Sequence, residues 1–307
     1  MPARIEQPHR HTKLAHFGLF YTAAIWGSTF FVVKDVLSAV DPVILVAYRF
    51  LLAGLILLVY LLARQQPLLK GIKQAAFLAV ILYLLYIPQT VGLKYTTASN
   101  SGFITGLFVA FVPIFLRTIF RRTPTLMEVV ASVVSLIGLW VLTGGMRDVN
   151  VGDMLTLMAA VTYALHVLYC DKYMKAGMDP FIITCQQFLI VGLLALVTGL
   201  VLRLPFSVGT TSAYWVIVFL AVFPTMSAFV IQVVAQKIVS PVRVSLIFAL
   251  EPVFAGLFAW TLGGEALITH RALGGLLIFI ALILSGLPTP AWIQYVTKRS
   301  RRASVDG

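Results

Sequence analysis

Ten apolar windows follow one another along almost the whole chain, near residues 15–33, 43–63, 74–93, 98–116, 127–145, 153–170, 180–202, 213–235, 242–262 and 272–290. Each is close to the roughly 20 residues that a helix needs to cross a bilayer's hydrocarbon core. The narrowest division lies between the third and fourth windows, where only Lys94–Thr97 interrupts the run. A soluble core cannot absorb such a sequence. Of the 307 residues 60% are apolar and 11% charged, whereas about 25% are charged in an ordinary soluble domain. The pattern predicts an all-α polytopic membrane protein. It excludes a disulfide-built secreted fold, since Cys170 and Cys185 define no framework. The expected layout is a cytoplasmic tail over 1–13, a five-helix unit over 14–145, a second over 152–290 and a basic cytoplasmic tail over 291–307.

Charge sets the expected orientation. With the N-terminus in the cytoplasm, seventeen Lys and Arg residues fall on the cytoplasmic side and five (Lys34, Lys94, Arg147, Arg203, Arg271) on the other, with Arg49 inside a span. Every loop agrees in direction, as the positive-inside rule requires, and an even number of spans returns the C-terminus to the cytoplasm. The net charge of +12 then resides entirely on the cytoplasmic side. It suits anionic lipid headgroups and removes the reason to expect nucleic-acid binding. The basic residues ahead of the first apolar run resemble a signal peptide, but the run is too long and no small-residue cleavage site follows, so a retained first helix is expected.

The chain also repeats itself. At an offset of 138 residues Lys34 meets Lys172, Asp41-Pro42 meets Asp179-Pro180, Phe50-Leu51 meets Phe188-Leu189, and Gly54-Leu55 meets Gly192-Leu193. Ten of the 26 positions from 34 to 59 are identical, and shared apolar composition explains the leucines but not the lysine or the Asp-Pro pairs. Each copy holds five spans, an odd number, so the second must enter the membrane inverted. Inverted repeats are the architecture of secondary transporters, with a solute site near the midplane where the halves meet.

Several local motifs carry a family resemblance. Trp26-Gly27-Ser28-Thr29-Phe30, Tyr48-Arg49-Phe50, Gly92–Asn100, Leu250-Glu251-Pro252-Val253 and Gly263-Gly264-Glu265, in this order, resemble the EamA group of the drug/metabolite transporter superfamily. The resemblance implies ten helices in two EamA units around a central cavity lined mainly by spans 1–4 and 6–9. It further implies a small polar cargo, such as an amino acid, nucleoside or vitamin, often exported across the bacterial cytoplasmic membrane.

Ionisable groups at membrane depth are costly and mark candidate sites. Glu251 lies nine residues into its span, followed by Pro252, which removes a backbone hydrogen bond and loosens the helix there. It is a candidate for solute binding or for carrying a proton. Arg49 either pairs with Glu251, binds a solute carboxylate, or snorkels toward headgroups. Tyr163 and His166 share one helix face, and His166 either titrates during transport or bridges helices. Tyr83 and Tyr86 likewise share a face, one turn before Pro88-Gln89. Trp26, Asn100 and Gln232 complete the candidate cavity. Small residues recur every four positions at Ala98, Gly102, Gly106 and Ala110, and at Ala255, Ala259 and Gly263, as close helix approach demands.

Enzyme motifs are missing. The sequence has no Gly-x4-Gly-Lys-Ser/Thr, no His-Glu-x-x-His and no Gly-x-Ser-x-Gly. No cofactor or metal is expected. The expected partners are a small-molecule solute and the lipid bilayer, with the chain acting as a monomer or a homodimer.

Overall fold

The computed structural model describes residues 7–144, 149–261 and 269–287. The Gly263-Gly264-Glu265 motif, Gly145–Asp148 of the junction, the side chain of Ala259, residues 1–6 of the first tail and the whole of the second lie outside these. Among the described residues the chain is all-helical, with no strand. The first half runs α1 (Gln7–Val36), α2 (Pro42–Ala63), α3 (Ile72–Gly92), α4 (Ala98–Gly106), α5 (Phe108–Thr118) and α6 (Leu126–Thr143). The second runs α7 (Val151–Lys175), α8 (Pro180–Val201), α9 (Thr211–Leu220), a π-helical segment (Ala221–Ser227), α10 (Ala228–Ala235), α11 (Pro241–Phe248), α12 (Glu251–Thr261) and α13 (Thr269–Ser285). Nine stretches are long and apolar enough to cross a membrane, and Ala272–Ser285 is a shorter apolar helix beside them. Together they make the ten spans read from the sequence, and α3 and α4 separate at the expected Lys94–Thr97 break. Large apolar side chains such as Phe31, Val59, Leu193 and Trp215 face outward, as lipid as the surrounding solvent requires.

The duplicated Asp-Pro has a local cause. Asp41 accepts a hydrogen bond from Val43 N at 2.9 Å, and Asp179 accepts from Phe181 N and Ile182 N at 2.9 and 3.0 Å. Each aspartate caps a helix whose first residue is proline, where no backbone donor is needed. Capping boxes start α6 (Thr125 with Glu128) and α7 (Asn150 with Asp153).

Three spans do not run as the single helices expected of them. The fourth is interrupted at Leu107, the ninth at Ala249-Leu250, and the eighth widens into a π-turn around Pro224. Pro252 and Pro224 lack the amide that would complete the preceding turn, and their rings crowd the carbonyl four residues back. The chain therefore breaks or widens there rather than bending smoothly.

The packing respects an exchange of the two halves. α2 packs on its counterpart α8, and α6 on its counterpart α13, while α3 meets α7 as α10 meets α1. At the α2–α8 crossing the repeat is visible atom by atom. Leu189 sits over Gly54 and Leu51 over Gly192, where an added Cβ would lie 2.8 and 2.7 Å from the leucine side chain. At Gly192 it would also come within 2.8 Å of the Leu51 backbone nitrogen, which cannot step aside. Gly192→Val is accordingly expected to cost about 1–3 kcal/mol by overpacking. Thermal unfolding in detergent should show a transition lowered by several degrees.

Candidate functional site

The site is assembled from the helix interruptions. At the widening around Pro224 two backbone carbonyls accept side-chain hydrogen bonds. Thr225 Oγ1 donates to Leu220 O at 2.7 Å, and the Trp26 indole donates to Pro224 O at 2.6 Å. Thr225 also turns its hydroxyl oxygen to Arg49, whose Nε donates to it. Arg49 enters seven residues along α2, about 10 Å at 1.5 Å per residue, and is 4% exposed. Its guanidinium lies 4.8 Å from the centre of the Tyr86 ring, and Nη2 reaches the Tyr86 hydroxyl at 3.4 Å. Cation–π contact and a hydroxyl thus hold the charge at depth, so it does not snorkel to the headgroups.

Glu251, 5% exposed, opens α12 immediately after the break in the ninth span. Its carboxylate Oε1 accepts from the Tyr163 hydroxyl at 3.5 Å, a long and weak contact. Gly27 explains how α1 comes so near. A Cβ there would stand 2.5 Å from Glu251 O, so only glycine lets the Trp26-Gly27 stretch pass this close. Among the described residues no ion pair within 4.0 Å joins Arg49 to Glu251; the pairs present are Lys94–Asp41, Arg122–Asp171 and Lys175–Asp171.

Arg49 and Glu251 line one cavity, together with Trp26, Tyr86, Tyr163, Gln89, Thr105 and Phe229. It reaches toward Val33 and Leu93, near the Asp41 end of the bundle. On its other side it ends on packed rings: Trp26 lies 5.1 Å from Phe229, 4.9 Å from Phe248 and 6.0 Å from Tyr163 between centroids. The space open to a water-sized sphere is about 40 Å³, enough for a few waters at roughly 10–15 Å³ each by this measure. That space is too small for a whole metabolite.

Five of the nine candidates from the sequence (Trp26, Arg49, Tyr86, Tyr163 and Glu251) meet in this cavity. Four do not line it. Tyr83 is rotated about 60° from Tyr86 around α3 and shares a 2.7 Å hydrogen bond with Thr198 of α8. Asn100 sits in the first turn of α4, its backbone amide capped by Thr97 at 3.0 Å. His166 Nε2 lies 2.9 Å from Gln187 Oε1 and bridges α7 to α8. Gln232 donates to Gln236 at 3.4 Å. Conversely, Thr105 and Phe229 line the cavity and Thr225 holds Arg49 beside it, though none of the three is among the candidates. The available signal for Thr225 was a proline inside an apolar span followed directly by a hydroxyl residue. Among the described residues no cluster of His, Cys, Asp or Glu is placed to hold a metal ion.

The model of the EamA-like transporter family matches this chain twice, over residues 13–144 and 150–287. The chain belongs to the EamA-like transporter family. Its two matches correspond to the two five-span halves that enclose the cavity. An Archaeoglobus fulgidus protein described as an uncharacterized transporter is 30% identical over 282 residues, covering 89% of this chain and 86% of its own. The Escherichia coli protein YedA, described as an uncharacterized inner membrane transporter, is 26% identical over 279 residues, 87% of this chain and 90% of its own. A crystal structure of a protein 18% identical to this one superimposes with a TM-score of 0.75 over 89% of this chain and 96% of that one. At that identity the likeness speaks for the fold. This EamA-family transporter is thus a multi-pass membrane protein built from two repeats, with buried Arg49 and Glu251 on one cavity.

Proposed function

We propose that this transporter carries a small zwitterionic, amino acid-like metabolite across the bacterial cytoplasmic membrane by alternating access, outward from the cell, with both termini in the cytoplasm. One observation carries the reading: Arg49 and Glu251 line the same cavity and are not bonded to each other. A buried charge without a partner is expensive, and a solute bearing a carboxylate and an ammonium supplies both partners at once. The aromatic faces of Trp26, Tyr86 and Tyr163 would take its apolar part. The inner-membrane description of YedA and the family's frequent use in export support the location and the direction. A monomer suffices, because the cavity is formed within one chain; a homodimer would leave it unchanged.

The cavity's extension toward the Asp41 end, the outer end by the positive-inside rule, supports uptake as a second reading. Untargeted metabolomics of medium and cytosol, with and without the chain, tests both. Export predicts one class of zwitterionic solute enriched in the medium of cells making the protein. Depletion from the medium would establish uptake, and no change in any zwitterion would remove the solute assignment.

A further inference from the structure

The floor of the cavity is one ring thick at Phe229. One side of this ring lines the cavity; it also meets His166 edge-on, with 5.9 Å between centroids. Beyond it lies a layer of uncharged polar side chains outside the cavity lining. His166 and Gln187 are joined at 2.9 Å, Gln232 donates to Gln236, and Gln236 Nε2 donates to Val167 O at 2.8 Å. These four side chains belong to residues with 0% exposure. The layer lies toward the end of the bundle that carries Asp171 and Asp179. His166 precedes the end of α7 by nine residues, Gln187 follows the start of α8 by seven, and Gln232 precedes the end of α10 by three.

The layer's hydrogen bonding is incomplete. Gln187 Nε2 and Gln232 Oε1 are buried and have no partner. A static helix bridge at membrane depth would avoid that cost, and apolar side chains of similar size would pack there without it. One unmet donor and one unmet acceptor suit water that occupies the layer in another conformation. We propose that the His166–Gln187–Gln232 layer is the inner half of the solute's passage, hydrated when the transporter opens toward the Asp179 end, and that Phe229 is the partition that seals it from the central cavity. The proposal rests on the carrier reading. Its test uses no solute, so it fails or stands apart from the zwitterion assignment.

Cys170 is a native probe of this layer. It is fully buried, and its Sγ lies 3.7 Å from His166 Nε2. The Cys185→Ser protein, in membrane vesicles of either orientation, is treated with a small charged methanethiosulfonate. Cys170 is expected to react from the Asp179 face and not from the Asp41 face. Phe229→Ala should open the Asp41 route, raising labelling from that face at least tenfold, and Phe229→Leu should raise it by less. Phe50→Ala removes an equally buried ring that packs on Tyr86 and Phe188 but not on His166, and should leave that face closed. A Cys170 inert from the Asp179 face until denaturation would overturn the proposal. So would an Asp41 face that stays closed in both Phe229 variants, or one that Phe50→Ala opens as well.

Discussion

Arg49→Ala is expected to reduce flux of the zwitterionic solute about 30- to 140-fold, without lowering the unfolding temperature. The flux effect follows from the bond lost. A charge-assisted pair with a desolvated carboxylate is worth about 2–3 kcal/mol, and each 1.4 kcal/mol is tenfold in affinity. The stability effect follows from what Arg49 lacks. Its contacts are the Thr225 hydroxyl, the Tyr86 ring and hydroxyl and the Phe50 ring, with no protein carboxylate among them. Removing it therefore strands no opposite charge, and the desolvation penalty on the guanidinium disappears. Arg49→Lys should lose about tenfold, because one ammonium cannot hold Thr225 and grip a carboxylate in the planar fork that a guanidinium offers. Flux and thermal unfolding of the same purified protein check both halves. Unchanged flux, or a large fall in unfolding temperature with flux lost, would assign Arg49 to the scaffold.

Glu251→Gln should uncouple transport from the proton gradient while leaving solute exchange in place. Among the described residues the Glu251 carboxylate has one long hydrogen bond, from Tyr163, which leaves lone pairs for a solute ammonium or a proton. A site that held either but not both would couple the two flows in opposite directions. Glutamine keeps the size and one acceptor oxygen but binds no proton. Exchange of solute for solute in proteoliposomes should persist at saturating concentration, with half-saturation raised about tenfold for the loss of charge assistance. Accumulation driven by an imposed pH gradient should vanish. An unchanged pH dependence in the variant would place coupling elsewhere, His166 included.

Much of the architecture was legible because the bilayer imposes a length and a solvent. The apolar windows survive as helices among the described residues, and the Asp41-Pro42 and Asp179-Pro180 pairs as the caps of α2 and α8. The site was legible where chemistry alone marks a residue. A charge at membrane depth, as at Arg49 or Glu251, is anomalous wherever its side chain points. Tyr83, His166 and Gln232 needed direction as well as depth. A rotation of 100° per residue decides whether such a side chain meets the cavity or a neighbouring helix, and that depends on which helices pack together. Thr225 needed still more, since the π-turn at Pro224 shifts the register beyond it and hydroxyls are ordinary in membrane helices.

In the proposed carrier one solute satisfies Arg49 and Glu251 together. The most direct test is competition in proteoliposomes, using the zwitterion found by metabolomics, its methyl ester and its deaminated acid. Wild-type protein should prefer the zwitterion over each analogue by about 30-fold or more, since each analogue leaves one buried charge unmet. Arg49→Ala should lose discrimination against the ester only, and Glu251→Gln against the acid only. Equal competition by all three in the wild type would contradict the account.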